Sequence, residues 1–220
     1  MNEKELIHEL KALSTENIFQ LNKKLAKTNF PILGVSVPNI RKLAKKYRKE
    51  DLSHISFHSS LEMDQLLGVW NALRQESEEE KWEYLEHLLY DVDSWAITDV
   101  VLSSYRFKND EIILQKYLSW KASPSIFLNR SAHILFLTTM VKKDQAISWY
   151  LSTIEETGNY YVDMAICWVL ATIGIRHFEE VVEFLKQHQQ ERFIYQNTIR
   201  KMRESRRIEE SHQQILRAMK

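Results

Sequence analysis

Only four glycines and three prolines punctuate the 220 residues of this chain. A β-sandwich or barrel needs a turn residue about every ten positions, and a doubly wound sheet needs glycine turns after its strands. Seven such residues cannot supply either, so the backbone is expected to be all-helical. Periodicity agrees. Leu6, Leu10 and Leu13 mark a first amphipathic segment, and Ser14 to Asn17 offers an N-cap for a second. Phe30 to Pro38, F-P-I-L-G-V-S-V-P, is bracketed by prolines and reads as a loop, with Pro38 placed in the first turn of a helix over Asn39 to Lys49. Helical patterns continue at about 60–75, 79–91, 94–105, 109–121, 125–141, 143–156, 160–174, 177–188, 191–203 and 208–219.

Some 11–13 short helices with short polar connections imply antiparallel neighbours. Segment pairs of about 35–45 residues suit a HEAT-like helical solenoid, an α-α superhelix with a concave face that serves as the usual binding surface. A plain helical bundle is the alternative. No stretch reads as an interdomain linker, so residues 1–220 are expected to form one domain.

Charge narrows the partners. Thirty basic residues balance thirty acidic ones, so any grip on nucleic acid must come from a local patch. The single cysteine, Cys167, excludes an internal disulfide and fits a reducing compartment. The charged start, M-N-E-K-E-L-I-H-E-L, lacks a signal-peptide core, and no apolar run approaches the ~18 residues that would span a bilayer. A cytoplasmic protein without membrane association is expected.

Motifs for several chemistries are missing. There is no H-E-x-x-H and no clustered Cys/His spacing; His54 and His58 sit in what reads as a polar loop. No metal is expected. Isolated glycines make neither a P-loop nor a dinucleotide fingerprint. Cys167 lies in the apolar M-A-I-C-W-V-L-A, where a buried thiol is the default.

What stands out is D-S-W-A-I-T-D-V-V, Asp93 to Val101. On a helix Trp95 and Asp99 stack on one face. Either the indole packs in the core with the acid at its edge, or the two hold something cationic between a π-face and an anion. Further along, F-L-N-R-S-A-H-I-L-F-L sets Arg130 in an apolar helix, where it must snorkel, pair with an acid or reach a ligand. Y-Y-V-D-M-A-I-C-W-V-L places Tyr160, Tyr161 and Trp168 on a late helix, with Tyr161 and Trp168 able to face the same side. Arg41 to Lys49, which includes Lys45, and Ile199 to Ile208, which includes Arg200, are basic runs. Such runs are most often solvated faces, but either can meet phosphates.

The order of these stretches is recognisable. L-G-V-S-V-P-N-I-R-K-L, then S-W-A-I-T-D, then a helix with a lone R-S-A, then A-I-C-W-V-L resembles the AlkD-like family of HEAT-like-repeat DNA alkylation repair glycosylases, from about Phe30 to Arg203. The resemblance implies hydrolysis of the N-glycosidic bond of cationic N3- or N7-alkylated purines in double-stranded DNA, by a monomer without metal or cofactor. It casts Asp99, Trp95 and Trp168 as catalytic residues, with Asp99 stabilising an oxocarbenium-like sugar. It casts Arg130 as the anchor of a backbone phosphate; the aromatic helix and the basic runs add Tyr160, Tyr161, Arg41, Lys45 and Arg200 as DNA-binding candidates. The chain departs from the family pattern at Met164 and Ala171, where basic residues are usual, at Cys167 in place of glycine, and at Tyr195 to Thr198 in place of an arginine pair. Phe127 and Asn129 also differ beside Arg130, and the segment before the L-G-V loop is short. These changes imply weak DNA binding. Three readings follow: an alkylpurine glycosylase, a divergent paralogue that binds DNA weakly and excises little, and a helical-repeat scaffold for a protein partner.

Overall fold

The computed structural model describes residues 1–219, and among them are thirteen α-helices and no strand. They divide into two compact units, Met1–Lys108 and a second beginning at Asn109. The first holds α1 (Glu3–Ala12), α2 (Glu16–Leu25), α3 (Val37–Lys46), α4 (Leu61–Ala72), α5 (Glu78–Leu89) and α6 (Trp95–Leu102). The second holds α7 (Asp110–Lys121), α8 (Ile126–Thr139), α9 (Asp144–Thr153), α10 (Tyr160–Ile173), α11 (Phe178–Gln187), α12 (Arg192–Glu204) and α13 (Glu210–Ala218). The fold is all-α, built from HEAT-like helical repeats. Among the described residues no helix is long and apolar enough to cross a membrane.

The helices begin where the sequence offers a cap. Asn2, Thr15, Ser60, Ser77, Ser94, Asn109, Ser125 and Asn159 each turn a side-chain oxygen to a first-turn amide, and Asn2 and Ser77 complete capping boxes with Glu5 and Glu80. The cap foreseen within Ser14 to Asn17 is Thr15. The third helix starts at Val37 and stops at Lys46, earlier at both ends than its charge pattern implies, because Tyr47 leaves helical geometry.

In the first unit α4 is central, packed against α3, α5 and α6. Every residue from Leu61 through Asn71 is buried, so α4 has no solvent face for its acids. Gly68 lets α6 approach, since a Cβ there would lie 2.5 Å from Val101 Cγ2. In the second unit α8 packs on α7 and α10, and α10 packs on α12. The series α8, α10, α12 thus forms one layer, with α11 against α10 and α13 against α12.

Candidate catalytic residues and nucleic-acid interface

Helix α6 is fixed at its first turn. The Ser94 hydroxyl, fully buried, donates to the Ala26 carbonyl at 2.6 Å and accepts the Ala96 amide. Trp95 follows as the first helical residue, and its indole Nε1 donates to the Leu25 carbonyl at 3.1 Å. The end of α2 therefore holds the ring. Just before, the Asp93 carboxylate accepts the Thr28 hydroxyl and the Asn29 amide, at 2.5 and 2.6 Å, tying the loop after α2 to the start of α6.

Asp99 lies one turn beyond Trp95 on the same face, and both are half-buried. The Thr98 hydroxyl lies 3.0 Å from Asp99 Oδ1 and 3.1 Å from the Trp95 carbonyl and shares its one proton between them, so one side chain bridges the two residues. Ile97, Thr98, Val101 and Leu102 supply the buried face of α6. Arg41 and Lys45 are exposed on α3, and Arg41 Nη2 donates to Ser103 Oγ, just past α6, at 3.0 Å.

In the second unit, Arg130 is buried on α8, only 6% exposed, and its Nη1 donates to the Tyr161 carbonyl at 2.7 Å. That bond joins α8 to the first turn of α10. Tyr161 tilts against Phe127 at 5.1 Å, and Tyr160 meets Tyr161 and Phe193 edge-on at 5.4 and 5.9 Å. Tyr160 is exposed and Tyr161 half-buried, giving a small aromatic ledge at the start of α10.

Trp168 does not pack in the core. It is 42% exposed, and among the described residues its indole makes no ring stack or hydrogen bond. It borders an open groove of about 300 Å³ with Ala171, Thr172 and Ile175 on one wall and Lys201, Glu204, Ser205 and Arg207 on the other. Arg200 is exposed elsewhere, in a notch with Arg203 and Arg217. The structure thus gathers the sequence-predicted residues of this unit in three places: the ledge, the Trp168 groove and the α12–α13 notch. Sequence alone does not single out Lys201 and Arg207, two cations among five in the run from Ile199 to Ile208; helical phase is the available signal, since Lys201 lies on the side of α12 that lines the Trp168 groove.

The positions that depart from the family pattern are mostly turned inward. Cys167 and Ala171 are buried and Met164 half-buried on α10, while Tyr195 and Thr198 are buried on α12. Burial pushes the Cys167 thiol up to about 12, which leaves almost no thiolate near neutral pH. His58 Nδ1 bonds to the buried Asp64 at 2.8 Å, and His54 Nε2 lies 3.1 Å from the Met1 carbonyl. Among the described residues no group of three or more His, Cys, Asp or Glu side chains is arranged to hold a metal ion.

No curated protein and no solved structure is similar enough to this chain to count as a match. The family comparison is positive: residues 6–202, nearly the whole length, match the profile described as DNA alkylation repair enzyme, and the chain belongs to that family.

Proposed function

We propose that this protein is an alkylpurine DNA glycosylase, hydrolysing the N-glycosidic bond of cationic N3- or N7-alkylated purines in duplex DNA as a monomer. The observation that carries the reading is the first turn of α6, where Trp95 is held by its indole N–H and Asp99 shares its face, with the Thr98 hydroxyl bridging them.

The chemistry balances without a cofactor. The C1′–N bond of the lesion breaks with its electron pair going to the base, which neutralises the positive charge alkylation put there. Water adds its hydroxyl to C1′ and releases a proton, which Asp99 can accept and pass to solvent. Positive charge grows on the sugar in the transition state, so a fixed anion beside it is the natural stabiliser. A carboxylate about 4 Å from that charge contributes about 4 kcal/mol at an effective dielectric of ~20, on the order of a thousandfold in rate. An indole π-face offered to positive charge, by Trp95 or by Trp168, is worth about 0.5–2 kcal/mol. The leaving group is already charged, so no strong general acid is required.

In this reading Arg130 positions the start of α10 through the Tyr161 carbonyl, and phosphates meet Arg41, Lys45, Tyr160, Lys201 and Arg207. A second reading, a paralogue with weak binding and little excision, draws on α10 itself: Met164 and the buried Ala171 bring no cation to the Trp168 groove. One assay separates them. At low salt, methylated duplex should release free 7-methylguanine or 3-methyladenine, and Asp99→Asn should lower the rate on the order of a thousandfold. Binding of duplex with no release would favour the paralogue.

A further inference from the structure

The chain continues past the part that matches its family, which ends at residue 202. The extension contains α13 and folds back on α12. Between the two helices lies a notch of about 350 Å³, lined by Arg200, Arg203 and Glu204 of α12 and by Gln213 and Arg217 of α13. Three arginines line it against Glu204, with Glu210 paired to Arg217 beside it, in a chain whose overall charge is zero.

Two structural duties explain surface arginines in general, and here ion pairing accounts for Arg217 but not for Arg200 or Arg203. A helix C-terminus attracts cations because its last carbonyls lack donors. Here the buried Gln213 supplies one, its Nε2 donating to the Met202 and Ser205 carbonyls at 3.3 and 3.4 Å. Surface arginines also commonly pair with acids. Arg217 does so, with Glu210 at 3.1 Å, yet among the described residues Arg200 and Arg203 make no ion pair or side-chain hydrogen bond, although Glu204 lines the same notch. What remains is a fork-shaped donor set of surplus positive charge, suited to an oxyanion bound by two or more guanidinium groups.

We infer that the α12–α13 notch binds a phosphodiester of the DNA backbone, so that the segment beyond residue 202 adds a DNA-binding element of its own. The inference deepens the proposed function by assigning a phosphate to this notch; it rests on DNA being the partner but not on base excision. Neutralising a phosphate supplies affinity without sequence preference and gives binding a salt dependence of about 0.9 in log–log slope per phosphate.

The test uses the full-length protein and an unmodified duplex, with affinity followed by fluorescence anisotropy across a salt series. The combined variant Arg200→Gln, Arg203→Gln, Arg217→Gln should flatten the slope by about 0.9 for each phosphate no longer neutralised, which at about 0.1 M salt is roughly an eightfold fall in affinity per phosphate. Lys186→Gln on α11 serves as the charge control and should leave the slope where it was. Arg→Lys at the three positions should restore the slope while weakening binding, because charge is kept and the fork is removed. Equal slopes for wild type and the Gln variant, with both folded by circular dichroism, would overturn the inference. So would an unchanged DNA slope accompanied by a calorimetric signal for inorganic phosphate that vanishes in the variant, since the notch would then take free phosphate. Base release is read in parallel. A wild type that releases no base but loses slope in the variant refutes the glycosylase reading and leaves this one standing; robust release with equal slopes does the reverse.

Discussion

The fully buried Glu62 carboxylate accepts the backbone amide of Gly34 at 2.9 Å, and also those of Leu33 and Val35 at 2.8 and 3.3 Å. Asn22 of α2 adds a fourth donor at 3.0 Å. An acid inside α4 thus shapes the L-G-V loop from below, while Gly34 adopts φ +83° with its α-carbon face against Phe19, where a Cβ would lie 2.7 Å from Phe19 Cβ. Glu62→Ala strands several buried amides together. It should destabilise the protein by about 3 kcal/mol or more, measured by urea unfolding; a loss within about 1 kcal/mol would show that water replaces the carboxylate.

The Trp95 indole donates a hydrogen bond to the Leu25 carbonyl, and the proposed function gives its π-face a second, separable role. Trp95→Phe keeps a face and removes the bond. Stability should fall by about 1 kcal/mol, with base release retained to within roughly tenfold. Trp95→Ala removes both and should lower release further, by about 2- to 30-fold relative to the Phe variant. Identical release rates for the two variants would mean that the ring face contributes nothing.

Much of this was legible in the chain. The scarcity of turn residues dictated helices, and Ser, Thr and Asn before apolar periods marked their starts. The Trp95–Asp99 register followed from helical spacing alone, and α6 bears it out. The buried acids were not legible. Glu62 and Asp64 in L-E-M-D-Q-L-L read as an ordinary helical start, because nothing local reveals that loops on both sides turn their amides onto α4. Asp163 is similar, buried beneath Thr157, whose amide and hydroxyl it accepts at 2.9 and 2.7 Å. Trp168 was equally ambiguous: tryptophans on apolar helices are mostly core, and its exposure depends on how α10 lies against α12.

Two histidines should contribute slopes of opposite sign to the stability profile. His133 is wholly buried in α8, its Nδ1 2.9 Å from the Tyr150 hydroxyl, and burial, aided by the charges of Lys121 and Arg130, pushes its pKa down to about 3. Between an unfolded value near 6.5 and about 3 the unfolded chain binds a proton that the native state refuses, so stability falls as pH drops through that window. The drop is at most roughly 4 to 5 kcal/mol. His133→Phe should remove this acid limb, at a neutral-pH cost of about 1–2 kcal/mol for the stranded Tyr150 hydroxyl. His58 runs the other way: its hydrogen bond to Asp64 raises its pKa, so its contribution is full below about 6.5 and is lost as pH rises through the native value. His58→Asn, which tolerates the φ of +65° there, should flatten that limb. Urea midpoints across pH check both, and a His133→Phe profile parallel to wild type from pH 6 to 4 would contradict the first.

Trp168 offers the sharpest separation of structure from function. A core tryptophan changed to alanine costs about 3–5 kcal/mol. Trp168 is 42% exposed and, among the described residues, has no ring or hydrogen-bond partner, so Trp168→Ala should cost less than a core exchange, about 1–2 kcal/mol, or roughly 2–8 °C in the thermal midpoint. If the indole instead serves a cationic lesion beside Lys201 and Arg207, the same change should lower base release or lesion binding by about 2- to 30-fold. Measured together, a stable variant with impaired release assigns the ring to the substrate. A large fall in midpoint would make it a packing residue after all, and unchanged stability with unchanged release would remove Trp168 from the site.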